Sequence, residues 1–247
     1  MSSLVHNLGL SKALSFHDVF SIDDPDLLAF VPRPASALLL VFPVSRAYEM
    51  FRMQEDEKKS EYQGKGAEEP VLWYKQTIRN ACGLIGLLHA VSNGNSRGFI
   101  GMDGCARRVH KANADSKTEQ GSDLEKLVTD ATPLEPIERA DLLYNSQSLE
   151  RAHQSAAVEG QSTAPNAEDN IDLHYVCFVK DERNNLWEMD GRRKGPLDRG
   201  PLGPDDDVLS EKALELGVRK FLKREEEAGG GELRFSLITL APNLDFD

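Results

Sequence analysis

Four residues of this 247-residue chain have the types and order needed for nucleophilic acyl transfer: Gln76, Cys82, His174 and Asp190. A cysteine thiolate attacks carbonyl carbon. A histidine takes the thiol proton and later delivers it to the leaving amine. A carboxylate on the histidine's other side fixes the imidazole tautomer and stabilises the imidazolium. A side-chain amide near the cysteine can donate to the developing oxyanion, alongside the cysteine's own backbone N–H. Each residue also has an ordinary reading. A free cysteine usually behaves as a small buried hydrophobe, and a lone histidine at a strand end has no special chemistry. His89, on the same apolar stretch as Cys82, reads as a buried, hydrogen-bonded histidine rather than the base.

The elements that would carry these groups can be read locally. Ala81, Leu84, Ile85, Leu87, Leu88, Ala90 and Val91 are apolar on nearly every face of a helix, so the helix is expected in the middle of a domain. Asn80 is its expected N-cap. Cys82 then sits in the first turn, where the helix dipole and free N–H groups favour negative charge and hence thiolate. Leu173 to Lys180 reads as a strand from its aromatic and β-branched content. A turn over 181–185 leads to a second strand, Leu186 to Asp190, ended by Gly191. That hairpin puts His174 and Asp190 opposite or nearly opposite, with Cβ atoms about 5 Å apart.

The remaining chain supplies a frame. Residues 1–30 read as two short helical pieces, with Ser11 or Ser15 as a cap and Asp24-Pro25-Asp26 as a helix start. Ala37 to Phe42 is an unbroken apolar run bounded by prolines, expected as a strand buried on both faces. Ser45 to Glu61 reads as a surface amphipathic helix. Asp123–Val128 and Pro136–Leu149 read as helices, and 111–123 as a polar loop. Residues 150–170 are read as a long loop of the kind used as a lid. Residues 192–206 read as loop, 208–226 as one helix, and 233–240 as a closing strand.

Composition narrows the class. Hydrophobic residues make up 40% and charged residues 28%, as in ordinary globular domains. Three cysteines without metal-ligand spacing argue against a disulfide framework or a metal site and fit a reducing, cytoplasmic setting. The start has no secretory signal pattern, and the longest apolar run is too short to span a bilayer. A formal net charge of −12 disfavours nucleic acid and suits a basic protein partner.

With those residues in place, the segment Gln76-Thr77-Ile78-x-Asn80-Ala81-Cys82-Gly83, followed by Ile85-Gly86-Leu87-x-His89-Ala90, resembles the active-site signature of ubiquitin carboxyl-terminal hydrolases of the UCH type. His174 in a Leu-His-aromatic strand and Glu188-Met189-Asp190-Gly191-Arg192 resemble the family's histidine and aspartate motifs. Asp24-Pro25-Asp26-Leu27-Leu28, Val31-Pro32-Arg33-Pro34, Leu39-Leu40-Val41-Phe42-Pro43, Glu159-Gly160-Gln161-Ser162 and Glu232-Leu233-Arg234-Phe235 extend the likeness across most of the chain.

The resemblance implies an α+β, papain-like fold: one catalytic domain over 1–247, with a central antiparallel sheet flanked by helices. Cys82 is then nucleophile, His174 base and acid, Asp190 orienter and Gln76 oxyanion donor, with no cofactor or metal. Residues 146–170 become a loop crossing the active site, which restricts leaving groups to small or unfolded ones. Ubiquitin, or a relative such as Nedd8, is the implied partner of a monomer in cytoplasm or nucleus. Asp18 and Glu232 are candidate contacts to its basic residues. A catalytically weak ubiquitin-binding module is the alternative. The sequence departs from the family pattern at its start, where the usual N-terminal strand segment is missing, and at Leu84, where a threonine commonly follows the Cys-Gly pair.

Overall fold

The computed structural model describes residues 1–101, 121–159, 173–227 and 235–245. The described strands are β1 (Leu14–Asp18), β2 (Ala37–Pro43), β3 (Leu173–Lys180), β4 (Asn185–Met189), β5 (Leu197–Pro201) and β6 (Ser236–Pro242). They form one antiparallel sheet in the order β1-β6-β2-β3-β4-β5. The apolar run 37–42 lies at its centre between β6 and β3, as the sequence leads one to expect.

Side chains alternate between two cores. Ala37 and Leu39 of β2, with Cys177 and Val179 of β3, face one apolar cluster. Leu38, Leu40 and Phe42, with Val176 and Phe178, face the other. This period of two follows from strand geometry. The first cluster is covered by α1 (Ser2–Leu8), α4 (Cys82–Ser92), α5 (Asp123–Ala131) and α7 (Gln147–Glu159). The second is covered by α3 (Arg46–Glu57), α8 (Glu211–Leu216) and α9 (Val218–Glu227). Two further short helices, α2 (Pro25–Leu28) and α6 (Pro136–Tyr144), complete the described helical elements, with a 3-10 turn over Gly94–Phe99.

Several local expectations are corrected. Ser15 caps no helix; it lies inside β1, where Leu14 is buried and Phe16 packs on the first core. Residues 147–159, expected as part of a crossing loop, are helical. Arg151 bonds Gln147 and Gln154 bonds Glu150, both i,i+4 pairs that support a helix. The rest of the expected loop, 160–170, and most of the polar 111–123 segment lie outside the described residues. The loop read over 192–206 contains β5. The single helix read over 208–226 is two, because Gly217 leaves helical geometry at φ −109°, ψ −99°. Pro136–Leu149 is likewise divided between α6 and α7 at Asn145 and Ser146.

Helix α4 lies close to the sheet because of a glycine. A Cβ added at Gly86 would stand 3.2 Å from Leu39 Cδ2 and 3.4 Å from Tyr175 Cβ, so a larger residue would push the helix outward. The residues that the sequence singles out for chemistry gather where this helix begins.

Candidate active site

Cys82 is the first residue of α4 and is half-buried. The expected cap is not the one formed. Ala81 occupies the N-cap and provides no side-chain hydrogen bond. Asn80 instead takes a left-handed conformation, φ 64°, which asparagine tolerates better than most residues. The N-cap residue itself gives the first-turn N–H groups no side-chain partner, and those groups sit beside the cysteine. The Cys82 sulfur lies 3.7 Å from the Leu173 carbonyl oxygen at the start of β3.

His174 follows Leu173 and is 2% exposed. Its Nε2 is 2.8 Å from Asp190 Oδ1. The pairing is diagonal rather than face to face. Register sets Met189 against Cys177 and Glu188 against Phe178, and β4 ends at Met189. Asp190 thus lies just past the strand, in a turn closed by the Arg193 N–H donating to the Asp190 carbonyl. The turn gives Asp190 freedom to reach back along β3.

Asp190 has no exposed surface. Its Oδ1 also accepts from the Arg192 N–H at 2.9 Å, and its Oδ2 accepts from the Tyr48 hydroxyl at 2.5 Å. The Trp73 indole N–H donates to its carbonyl oxygen at 3.2 Å. Burial alone would raise the carboxyl's pKa. The His174 charge and hydrogen bond, then those from Tyr48 and the Arg192 amide, overcome it and hold the group well below the usual carboxylate range. For His174, burial lowers the pKa. The Asp190 charge and hydrogen bond, with smaller contributions from Cys82, outweigh burial and raise it to about 9.

Gln76 stands on the wall of the same cleft. Its backbone N–H donates to the Gly191 carbonyl at 2.8 Å, which ties it to the Asp190 turn. A Cβ on Gly191 would come within 3.0 Å of Gln76 Cβ, so this close approach needs glycine. The Gln76 amide nitrogen donates to the Ile78 carbonyl at 2.9 Å, and an amide nitrogen carries a second proton. Gln76, Cys82, Leu173, His174 and Arg192 line one cleft of about 430 Å³. A larger cleft, about 580 Å³, lies elsewhere, between residues 67–72, 92–98 and 181–183. It holds none of these groups.

The structure therefore brings Gln76, Cys82, His174 and Asp190 together. Asp18 is exposed at the end of β1 on the outer edge of the sheet and is not in the cleft. Glu232 lies outside the described residues. Tyr48 was missed as a partner of the site. The sequence marks it only as part of the surface amphipathic helix read over Ser45 to Glu61. The available signal was Ser45-x-x-Tyr48: Ser45 Oγ accepts from the Tyr48 N–H at 2.9 Å, fixing the tyrosine at the buried start of α3. His89 is fully buried and accepts the Tyr74 N–H at Nε2, as expected of a histidine outside the chemistry.

Among the described residues no group of three or more His, Cys, Asp or Glu could hold a metal ion, and no helix is long and apolar enough to cross a membrane. What the cleft can do chemically is transfer an acyl group through sulfur. It has a thiol at the N-terminus of a helix, a buried imidazole and an ionised carboxylate on the imidazole.

Comparison with known proteins shows the family and the fold. The sequence model of the family described as ubiquitin carboxyl-terminal hydrolase, family 1, matches residues 1–223. Ubiquitin carboxyl-terminal hydrolase YUH1 of Saccharomyces cerevisiae is 31% identical over 98% of the chain and 92% of its own length. Ubiquitin carboxyl-terminal hydrolase isozyme L1 of Monodelphis domestica is 33% identical over 97% of the chain and 93% of its own length. The crystal structure of the Trichinella spiralis UCH37 catalytic domain bound to ubiquitin vinyl methyl ester is similar in fold. Its TM-score is 0.64 at 18% identity, covering 98% of this chain and 91% of that one.

Proposed function

This chain belongs to ubiquitin carboxyl-terminal hydrolase family 1 and is a cysteine-type ubiquitinyl hydrolase; from that premise we propose that Cys82, His174, Asp190 and Gln76 carry the reaction in the following way. Asp190 engages His174 Nε2, which leaves Nδ1 to take the Cys82 proton. The thiolate attacks the carbonyl carbon of ubiquitin's C-terminal glycine. The tetrahedral oxyanion is met by the Cys82 backbone N–H and the Gln76 amide. His174 gives its proton to the leaving amine, alcohol or thiol, and a thioester forms on Cys82 as that bond breaks. Water, deprotonated by His174, hydrolyses the thioester and returns the free thiol.

The observation that carries this reading is the His174–Asp190 pair at 2.8 Å, facing the same cleft as a cysteine at a helix start. Small or unfolded leaving groups are the preferred substrates, by the resemblance of Glu159-Gly160-Gln161-Ser162 to the family's crossing loop. Asp18 and Glu232 contribute charge to ubiquitin docking, and the chain acts as a single domain. The test is a ubiquitin bearing a C-terminal electrophile, together with a ubiquitin–fluorophore conjugate. The electrophile attaches at Cys82 and at neither Cys105 nor Cys177, and Cys82→Ala abolishes both attachment and turnover. Attachment that survives Cys82→Ala sinks the proposal. The same turnover assay with a Nedd8 conjugate ranks the two modifiers.

A further inference from the structure

Tyr48 is 2% exposed and packs edge-on against Phe42, with ring centroids 4.8 Å apart. Phenylalanine would fill that space as well. The hydroxyl is what needs explaining, and it lies 2.5 Å from Asp190 Oδ2. The other carboxylate oxygen already serves His174 Nε2 and the Arg192 N–H. Asp190 has no exposed surface, so bulk water does not reach Oδ2, and an unpartnered buried carboxylate oxygen is costly.

The tyrosine is also held firmly. The Ser45 cap fixes its backbone. Farther along α3, Glu55 and Asp56 pair with Arg193, three residues past Asp190, at 2.8 and 3.1 Å. The Asp190 turn is thus attached along α3: at Tyr48, through Arg192 to Glu49 and Arg52, and through Arg193 to Glu55 and Asp56, a span of eight residues or about 12 Å. Attachments spread over that length fix the direction of the carboxylate as well as its place.

Resting on the Cys-His-Asp reading above, we propose that Tyr48 is a positioning residue for the hydrolysis: its hydroxyl holds the outer oxygen of Asp190 and takes a share of the carboxylate's charge that would otherwise fall on His174. Among the described residues, the other charged or titratable groups around the pair are Cys82 and His89 on α4, Arg52 on α3, Glu188 on β4, and Arg192 and Arg193 in the turn. Phe42 and Phe221 close the remaining sides with apolar rings. Tyr48→Phe leaves all of these in place and removes one donor.

Turnover of a ubiquitin–fluorophore conjugate by Tyr48→Phe is expected to lose about tenfold in kcat while KM stays within about twofold, the signature of lost alignment rather than lost binding. In the same variant the His174 imidazole titration, followed by its ¹⁵N resonances, moves upward by about half a unit or more, because the unshared carboxylate charge favours the imidazolium. An unchanged kcat overturns the proposal, and so does a titration that is unmoved or moves down. Site-specific 3-fluorotyrosine at position 48 covers a Tyr48→Phe protein that does not fold. It keeps the ring and strengthens the donor, so the titration moves down; no movement counts against the proposal. Asp190→Asn separates the two levels: full activity in that variant refutes the Cys-His-Asp reading itself, whereas an inactive Asp190→Asn beside an unaffected Tyr48→Phe refutes only the role of Tyr48.

Discussion

The surroundings of His89 and His174 differ in one respect that matters. His89 sits inside the first core on α4, and His174 sits near the start of β3 against Phe42 and Tyr48 of the second core; both are sealed from solvent. Among the described residues no carboxylate is bonded to His89. Burial dominates and lowers its pKa to about 3, despite weaker raising effects from the more distant Asp190 charge and from backbone hydrogen bonds at Tyr74 and Met189. His174 meets the same burial, but Asp190 at 2.8 Å reverses it, and the pKa reaches about 9. Burial therefore makes a histidine a permanently neutral hydrogen-bonding group unless a charge is placed against it. Only the second arrangement can store and release a proton near neutral pH.

Asp190→Asn breaks the contrast most severely. It makes the His174 region resemble that of His89, with burial unopposed and the wrong tautomer favoured. Turnover of a ubiquitin–fluorophore conjugate is expected to fall by about 10³–10⁴-fold, and the His174 titration drops below the ordinary histidine value. A residual rate above a tenth of the original would show that the carboxylate is not what sets His174 apart.

His89→Ala probes the other side. It removes the acceptor for the Tyr74 N–H and opens a cavity in the first core, so the folded state should lose about 2–4 kcal/mol in urea denaturation. Activity per folded molecule stays within about threefold. A large loss of kcat in a protein still folded would mean that the two histidines are not separate in function.

Acid and base sharpen the comparison further, because the two residues contribute slopes of opposite sign. His89 has a folded pKa below its unfolded value, so the unfolded chain binds more protons between about 3 and 6.5; stability present above that window is lost as pH falls through it. His174 has a folded pKa above its unfolded value. Its contribution is complete below about 6.5 and is lost as pH rises through about 9. Urea midpoints measured across that range should flatten on the acid side in His89→Leu and on the alkaline side in His174→Leu. The smallest effect is expected at Tyr74→Phe, which loses the 3.2 Å contact to Ser92 beside His89. About 0.5–1.5 kcal/mol of stability goes, with no change in kcat.

How much of this is visible without coordinates depends on how local each feature is. The α4 stretch, the central strand and the hairpin carrying His174 and Asp190 are written in contiguous residues, and they were readable. Gln76, Cys82 and His174 could be named because their motifs are short. The strand β1 was not readable. It is five residues long, and its partner β6 lies more than 200 residues away, so nothing nearby marks Ser15 and His17 as extended. The α7 helix was obscured by a polar, lid-like composition whose i,i+4 pairs become apparent only when counted as a helix. Asn80 misled, because a residue favoured at caps is also favoured in left-handed turns. Tyr48 reaches Asp190 across 142 positions, and no pattern within α3 announces that.

The two cores give the site a further property. Cys82 is carried by a helix belonging to one core, while Tyr48 and the ring packed on His174 belong to the other. The reacting pair is thus a clasp between layers on opposite faces of the sheet. A slip of one layer over the other by an ångström separates sulfur from imidazole while most buried area survives. Enzymatic activity then becomes a strain gauge for the sandwich: in mild denaturant it should fail before circular dichroism registers any loss of helix.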